Sequence, residues 1–596
     1  MRTVGEVLTV ALDHHRAGRL ADASALYASL LVQEPEQPDA LHLLGVATAQ
    51  AGRPAEAETL IARAIARQPG VADYHANHAQ VLDTLGRTDE ALTAYTQALR
   101  LNPNHPDALR NMARLLARLE RLSAAADALR ACVERTPDDL SLVTELARLC
   151  ERLGRVGEAE SWYRHILARD PFDIVALNNL GDLRRRGGDT AEAVGLLTRA
   201  VSAAPDAPLP RCALANTLTS LSRFEEAEAQ LAEAARRRPD AMLPHRDLGV
   251  LLRLLGRTEE ALDAFHSAAG LAPTDPVANF GAALCLLRLG RYREGFDAYH
   301  WRWPSAAKPP RHQDLPAWTG EAPAGLRLLV WHEQGVGDTL MCLRFLPLLA
   351  AAGARLTIEV PAGLAPLVAA QGYGAVVVNA QTPAPGTASP APPPWDAQVP
   401  MMDLPGRFCP EPAAVPWSGP YIKADPGRKL RWAQMLGTKR GRLRVGLFWQ
   451  GNPEFPDDRW RSPGLTPLLP LLDVPDVEFI SLQMGPARAA LTNPAVPLGR
   501  IRDAAASIRD WADTAALVAG LDLVIGSDSA CIHLAGALNV PAFLLLSPTT
   551  DWRWHDTGDT SPWYPSLHLF RQTRLGDWTA PVAAVKAALM EQVAAA

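Results

Sequence analysis

The 596-residue chain lacks any apolar run that could span a bilayer. Its most apolar windows, such as Leu534 to Leu546, are broken by Pro541 and fall short of about 20 residues. The start, Met1 to Glu6, leads into sequence carrying Asp13, His14, His15 and Arg16 without the apolar core of an export signal, so the expected location is cytoplasmic with no membrane span. Cysteine is scarce. Seven residues (132, 150, 212, 285, 342, 409 and 531), odd in number and widely spaced, contain no Cys-x-x-Cys pair or Cys/His cluster, which excludes a disulfide framework and a zinc site and fits reduced thiols. Charge of one sign is lacking too: 59 Lys and Arg stand against 65 Asp and Glu, so no nucleic-acid partner is expected. With 48% hydrophobic and 21% charged residues, global disorder is excluded, and the length predicts several folded units. Tryptophan is nearly missing from the first half. Of 15 residues only Trp162 precedes position 301, so two architectures are joined in one chain.

What the first half has is a repeat. Prolines stand at 35, 69, 103, 137, 171, 205, 239 and 273, and alanines at 23, 57, 91, 125, 159, 193, 227 and 261, both with a 34-residue period. Four residues after each alanine comes a large side chain (Tyr27, Ile61, Tyr95, Leu129, Tyr163, Leu197, Leu231 and Phe265), which puts the pair on one helical face. Glycines at 18, 52, 86, 154, 188, 256 and 290 fall where a left-handed residue can end one helix before the next begins. Each unit is therefore a helix-turn-helix hairpin. The pattern resembles the tetratricopeptide repeat (TPR), with eight full units and a partial ninth that has Gly295 in place of the alanine. Residues 1–303 are expected to form an α-solenoid, a TPR superhelix whose concave groove binds a protein. At the sixth repeat position stand Asn77, Asn111, Asn179 and Asp247. O-GlcNAc transferases, TPR proteins themselves, line their groove with asparagines at this position, which implies binding of an acceptor protein's backbone. The alternative is a set of asparagines bonded within their own repeats.

Residues 304–325, rich in proline and charge, read as a linker. Beyond it the periodicity changes. Leu326 to Trp331, Arg355 to Val360 and Ala375 to Val378 read as strands, with a helical pattern over Asp338 to Ala352, and they predict a parallel sheet in a lobe over 326–435. Within that lobe, 381–394 is almost all Pro, Ala, Ser, Thr and Gly and reads as a disordered insertion. A second alternation (Arg444 to Trp449, Val477 to Leu482, Leu521 to Ser527 and Ala542 to Leu546) predicts a second lobe over 436–596. That lobe ends in a helix, Ala580 to Val593, read as able to pack back across both lobes.

Two segments carry chemistry. The first lobe's opening strand runs into Gly335-Val336-Gly337-Asp338 at a helix start, where open α/β sheets place ligands. Asp338 reads either as a cleft carboxylate or as a favourable N-terminal charge on its helix. In the second lobe, Ile525-Gly526-Ser527-Asp528-Ser529 is a strand entering a helix N-terminus, whose free N–H groups suit a phosphate. Ser529 and His533 share a helical face there, and Asp528 can cap the helix or bind ligand hydroxyls. Gly-Asp in one lobe with Ser-Asp-Ser-x-x-x-His-Leu-Ala-Gly-Ala-Leu in the other resembles the heptosyltransferase-related GT-B glycosyltransferases (family 9-like). The usual heptosyltransferase wording is Asp-Thr-Gly where this chain has Asp528-Ser529-Ala530, which argues against a heptose donor. Further segments are similar to a branch in which this domain follows TPR repeats: Phe448-Trp449-Gln450-Gly451-Asn452, Arg459 and Arg461-Ser462, Ser481-Leu482-Gln483, Trp511 to Ala515, Asp551-Trp552-Arg553-Trp554, and Ser561 to Pro565.

The resemblance implies two Rossmann-like lobes with a cleft, Asp338 as general base, and His533 with a cation stabilising the leaving nucleotide. The donor would lie against Gly335, Gly337, Gln450, Asn452, Arg459, Arg461, Gln483, Ser527, Asp528 and Ser529. Arg459 and Arg461 read equally as solvated loop charges. Trp552, Trp554, Trp563 and Tyr564 read as stacking platforms or as lid packing. No metal and no cofactor is implied, the nucleotide-sugar being a co-substrate. The whole plan resembles bacterial TPR-containing flagellin glycosyltransferases. It implies transfer of a nonulosonic acid such as pseudaminic acid, CMP-linked in that case, to a Ser or Thr of flagellin with inversion. The competing expectations are an envelope-polysaccharide enzyme of heptosyltransferase type, distinguished by deleting residues 1 to 303, a non-catalytic TPR scaffold, and a peptide-binding chaperone.

Overall fold

The computed structural model describes residues 3–307, 309–378, 395–439, 441–455 and 457–595. The insertion expected at 381–394 lies outside the described residues. The chain divides into two compact units, Met1–Gln230 and Leu231–Ala596. The division falls inside the repeat array, and the last repeats belong with the sheets that follow them.

In the first unit, helices from Val4–Arg16 to Pro208–Ser220 pair into hairpins at the expected period. Ala23, Ala57, Ala91, Ala125, Ala159 and Ala193 are buried, as are the large residues four positions on. A second small-residue stripe faces them. A Cβ at Gly181 would lie 2.7 Å from Leu197 Cγ, and one at Gly45 would lie 2.5 Å from Ile61, so the hairpins close only because these positions are glycine. At the turns, Gly18, Gly52, Gly86, Gly154 and Gly188 all have positive φ. Where the repeat lacks that glycine, Glu120 (φ 58°) and Ser222 (φ 61°) take the same left-handed conformation.

In the second unit the repeats continue through Met242–Leu254, Thr258–Leu271 and Pro276–Arg288 to a shortened helix, Tyr292–Asp297. Gly295 replaces the repeat alanine because a Cβ there would meet Leu287 Cγ at 2.6 Å. Two wholly parallel sheets follow. The first contains β1 (Arg327–Trp331), β2 (Arg355–Val360), β3 (Ala375–Val378) and β4 (Ala397–Pro400) in the order β3-β2-β1-β4. The second contains β5 (Leu443–Phe448), β6 (Val477–Ser481), β7 (Ile501–Asp503), β8 (Leu523–Ser527), β9 (Ala542–Leu546) and β10 (Leu567–Arg571) in the order β10-β9-β8-β5-β6-β7. The strand order therefore reverses between β1 and β4 and again between β5 and β8, the points at which a crevice opens at the strands' carboxyl ends.

Three features differ from expectation. The segment expected as a linker at 304–325 lies along β4: Trp318 N donates to Gln398 O at 2.8 Å and Gln398 N to Pro316 O at 2.9 Å. The single helix expected over Asp338 to Ala352 is Val336–Cys342, a 3-10 turn Leu343–Phe345, and Leu346–Ala351, with Pro347 restarting the third piece. The terminal helix, Thr579–Ala595, packs into the second sheet's own core through Val582, Val585 and Leu589 instead of across both sheets. No helix among the described residues is long and apolar enough to cross a membrane.

Candidate active site

One cavity of about 1080 Å³ opens at the carboxyl end of β1 in the first sheet and of β5, β6 and β8 in the second. From the first sheet it receives the turn after β1, including Gly335, Gly337 and Asp338; from the second it receives the segments after β5 and β6 and the start of the Ala530–Ala537 helix after β8. The turn after β1 and that helix touch. A Cβ on Gly337 would lie 2.6 Å from His533 Cδ2, so only glycine lets the histidine ring approach the turn carrying Asp338.

Asp338 has both oxygens engaged. Oδ2 accepts from Gly335 N at 2.9 Å, and Oδ1 accepts from Arg553 Nη2 at 2.5 Å. Burial pushes its carboxyl above the ordinary range against the pull of Arg553, and Asp551 adds to the rise. Arg553 is itself buried and shared: Nη1 donates to Asp551 Oδ1 at 2.6 Å, and its guanidinium lies over the Trp552 ring at 4.4 Å. His533 Nδ1 meets the Tyr564 hydroxyl at 2.9 Å, leaving Nε2 on the side of Asp528, 3.8 Å from Oδ1. Burial holds the imidazole well below its usual range, and Arg553, Arg344 and Arg461 act in the same direction. With the tyrosine donating to Nδ1, the neutral ring offers Nε2–H as a donor.

The other sequence-derived residues fall into three groups. Gln450, Asn452, Arg461, Asp528 and Ser529 line the cavity, Ser529 with a side-chain oxygen that has no partner. Gln483 also lines it, but its Oε1 accepts from Trp449 N and Gln450 N at 3.1 and 2.9 Å, while its Nε2 donates to Gln450 O and Met484 O, so the whole amide pins the backbone after β5. Arg459 and Ser527 do not line the cavity. Arg459 is exposed with its guanidinium over Trp460, and Ser527 is fully buried at the end of β8. In the repeats, Asn77 Nδ2 lies 2.8 Å from His42 Nε2, Asn179 Nδ2 donates to the Tyr163 hydroxyl at 3.1 Å, and Asp247 accepts from its neighbour Arg246 at 3.0 Å. Asn111 is half-buried at the same repeat position.

Trp511, Asp551 and Arg553 stand in the sequence only as parts of motifs, without a role assigned to them, and Tyr564, expected to stack on a ligand or pack a lid, is instead buried against His533. The signal for Arg553 was its place between two tryptophans that prove to be structural. Trp552, Trp554 and Trp563 are at most 2% exposed and pack on one another, on Tyr292 and on His533.

Family models described as tetratricopeptide repeat match residues 14–81, 77–139, 129–174, 176–211 and 212–276. The N-terminal half is built of tetratricopeptide repeats. The chain is 29% identical over 313 residues to Protein FlbA of Caulobacter vibrioides, covering 48% of this chain and 50% of that one. It thus spans about half the length of this relative. Among solved structures, Naa15/Naa10 bound to HypK-THB matches at 19% identity and TM-score 0.33, covering 51% of this chain and 47% of that one. A tetratricopeptide repeat protein from Parabacteroides merdae matches at 17% identity and TM-score 0.33, covering 42% of this chain and 98% of that one.

Proposed function

We propose that this chain is an inverting, metal-independent protein O-glycosyltransferase of GT-B type, in which the repeats recruit an acceptor protein and the cleft transfers a sugar from a nucleotide donor. The observation that carries this reading is the meeting of Asp338 with His533 and the Ala530–Ala537 helix start across one cavity. An acceptor Ser or Thr oxygen attacks the anomeric carbon, Asp338 takes the hydroxyl proton, and the bond to the donor phosphate breaks with both electrons leaving on the nucleotide. The raised carboxyl of Asp338 suits proton capture, although Arg553 must share it. Helix N–H groups, Ser529, Arg461 and the neutral His533 receive the phosphate, the histidine acting as a hydrogen-bond donor instead of a cation.

The best-supported acceptor is flagellin and the best-supported sugar a nonulosonic acid, on the motif resemblance described above. Intact-protein mass spectrometry of flagellin from a deletion strain tests both. A mass deficit equal to a nonulosonic acid supports them, and an unchanged mass removes flagellin. In vitro, Asp338→Asn is expected to lower kcat by at least about 100-fold while the variant still binds the nucleotide, because the lost group acts in the transition state. Full activity of Asp338→Asn would refute the assigned base.

A further inference from the structure

The ninth repeat braces the turn after β1. Arg302 opens the short helix Arg302–Ser305 at the end of the repeats and is 5% exposed. Its Nε and Nη2 donate to the two carboxylate oxygens of Glu333 at 2.8 and 3.0 Å, Nη2 also reaches Asp403 at 2.7 Å, and Nη1 donates to Tyr299 O at 3.1 Å. Glu333, its side chain 2% exposed, also accepts from Met402 N at 3.1 Å. The next residue, Gln334, donates from Nε2 to the Tyr299 hydroxyl at 3.2 Å. Two consecutive residues of the turn after β1 are thus tied to the ninth repeat, and the residue after them, Gly335, holds Asp338 Oδ2. Asp338's other partner, Arg553, rests on the same repeat, because the Trp552 ring meets Tyr292 and Phe296 edge-on at 5.9 and 5.3 Å.

A forked guanidinium on a carboxylate fixes distance and plane together, which a single ammonium cannot do. A buried pair of this kind adds little net stability over an apolar replacement, so its physical value lies in geometry. We propose that Arg302 is a positioning residue of the transfer reaction: the ninth repeat, acting through Glu333, sets the turn that aims Asp338. The kinetic consequence rests on the glycosyltransferase reading; the structural consequence does not.

The experiment uses the full chain with Arg302→Ala, Arg302→Lys and Glu333→Gln. Hydrogen exchange is followed by mass spectrometry on peptides covering 332–339 and 529–537, alongside transfer to flagellin. The expected result for Arg302→Ala is roughly tenfold faster exchange at 332–339 with 529–537 unchanged. A fall in kcat of about 10- to 100-fold should accompany it, with the KM for flagellin within about twofold. Arg302→Lys should restore part of both. Unaltered exchange at 332–339 would overturn the proposal, and so would a raised flagellin KM at unchanged kcat, which would move Arg302 to the acceptor surface. If Arg302→Ala does not fold, Glu333→Gln preserves the side-chain shape and carries the same exchange measurement. Absence of transfer by the unaltered chain would defeat the enzymatic reading, while the exchange result would still decide whether Arg302 sets the turn.

Discussion

Asp528 carries a pH dependence of its own. It is 4% exposed, and burial pushes its carboxyl up to about 6, with Arg461 pulling against the rise and Asp551 adding to it. The unfolded chain releases this proton near the ordinary aspartate value of about 3.9, so between about 4 and 6 the folded state binds more protons than the unfolded. On this account stability falls as pH rises through that window and is level above it. Asp528→Asn removes the effect, so calorimetric Tm of the variant minus that of the parent should increase from pH 4.5 to 6.5 and then stay constant; a difference independent of pH would contradict this. The same scale shows why the site was only partly legible. Nearness along the chain to the Trp449-Gln450-Gly451-Asn452 turn points to Arg459 and Arg461, yet the cleft takes Arg461, Arg509 and Arg553. Linear proximity does not reveal that the 3-10 turn Trp552–Trp554 delivers an arginine to the carboxylate at the end of β1.

Among the elements, the hairpin turns were the most legible, because one conformational demand recurs every 34 residues and glycine meets it at no steric cost. Glu120 and Ser222 show the demand persisting where glycine is missing. Ser222 is exposed, so Ser222→Gly relieves a left-handed conformation without disturbing packing. It should stabilise the first unit by about 1 kcal/mol, measured as a higher urea midpoint at unchanged m-value. A lowered midpoint would show that the extra unfolded-state entropy of glycine dominates. Glu120 is a poorer test, since its carboxylate also receives Arg152 at 2.9 Å. Strands were legible where both faces are buried and the run is mostly apolar, as in β1, β5, β8 and β9. Three strands escaped: β4 has four residues and ends in Pro400, β7 has three of which two are exposed, and β10 lies at the sheet edge.

At the scale of the molecule, the useful boundary is not where the repeat pattern stops. The helices Pro276–Arg288 and Tyr292–Asp297 follow the TPR period, yet their side chains serve the sheets. Arg288 donates to Pro548 O at 2.6 Å and pairs with Asp556, Tyr292 receives the indole N–H of Trp563 at 2.9 Å, and Arg302 neutralises Glu333. Deleting residues 1–303 would remove the cation of Glu333 together with the repeat that covers it, and would uncover Trp552 and Trp563. A chain beginning at residue 241 keeps all of these partners. It is expected to unfold in one cooperative transition, whereas a chain beginning at 304 should melt at least about 5 °C lower and bind ANS. Equal melting of the two would mean that the ninth repeat is dispensable to the sheets. Deletion can therefore separate acceptor recruitment from chemistry only if it stops before Met242. Transfer to a small acceptor surviving the shorter deletion would then assign recruitment to the removed repeats, while its loss in the longer one would report damage to the turn bearing Asp338.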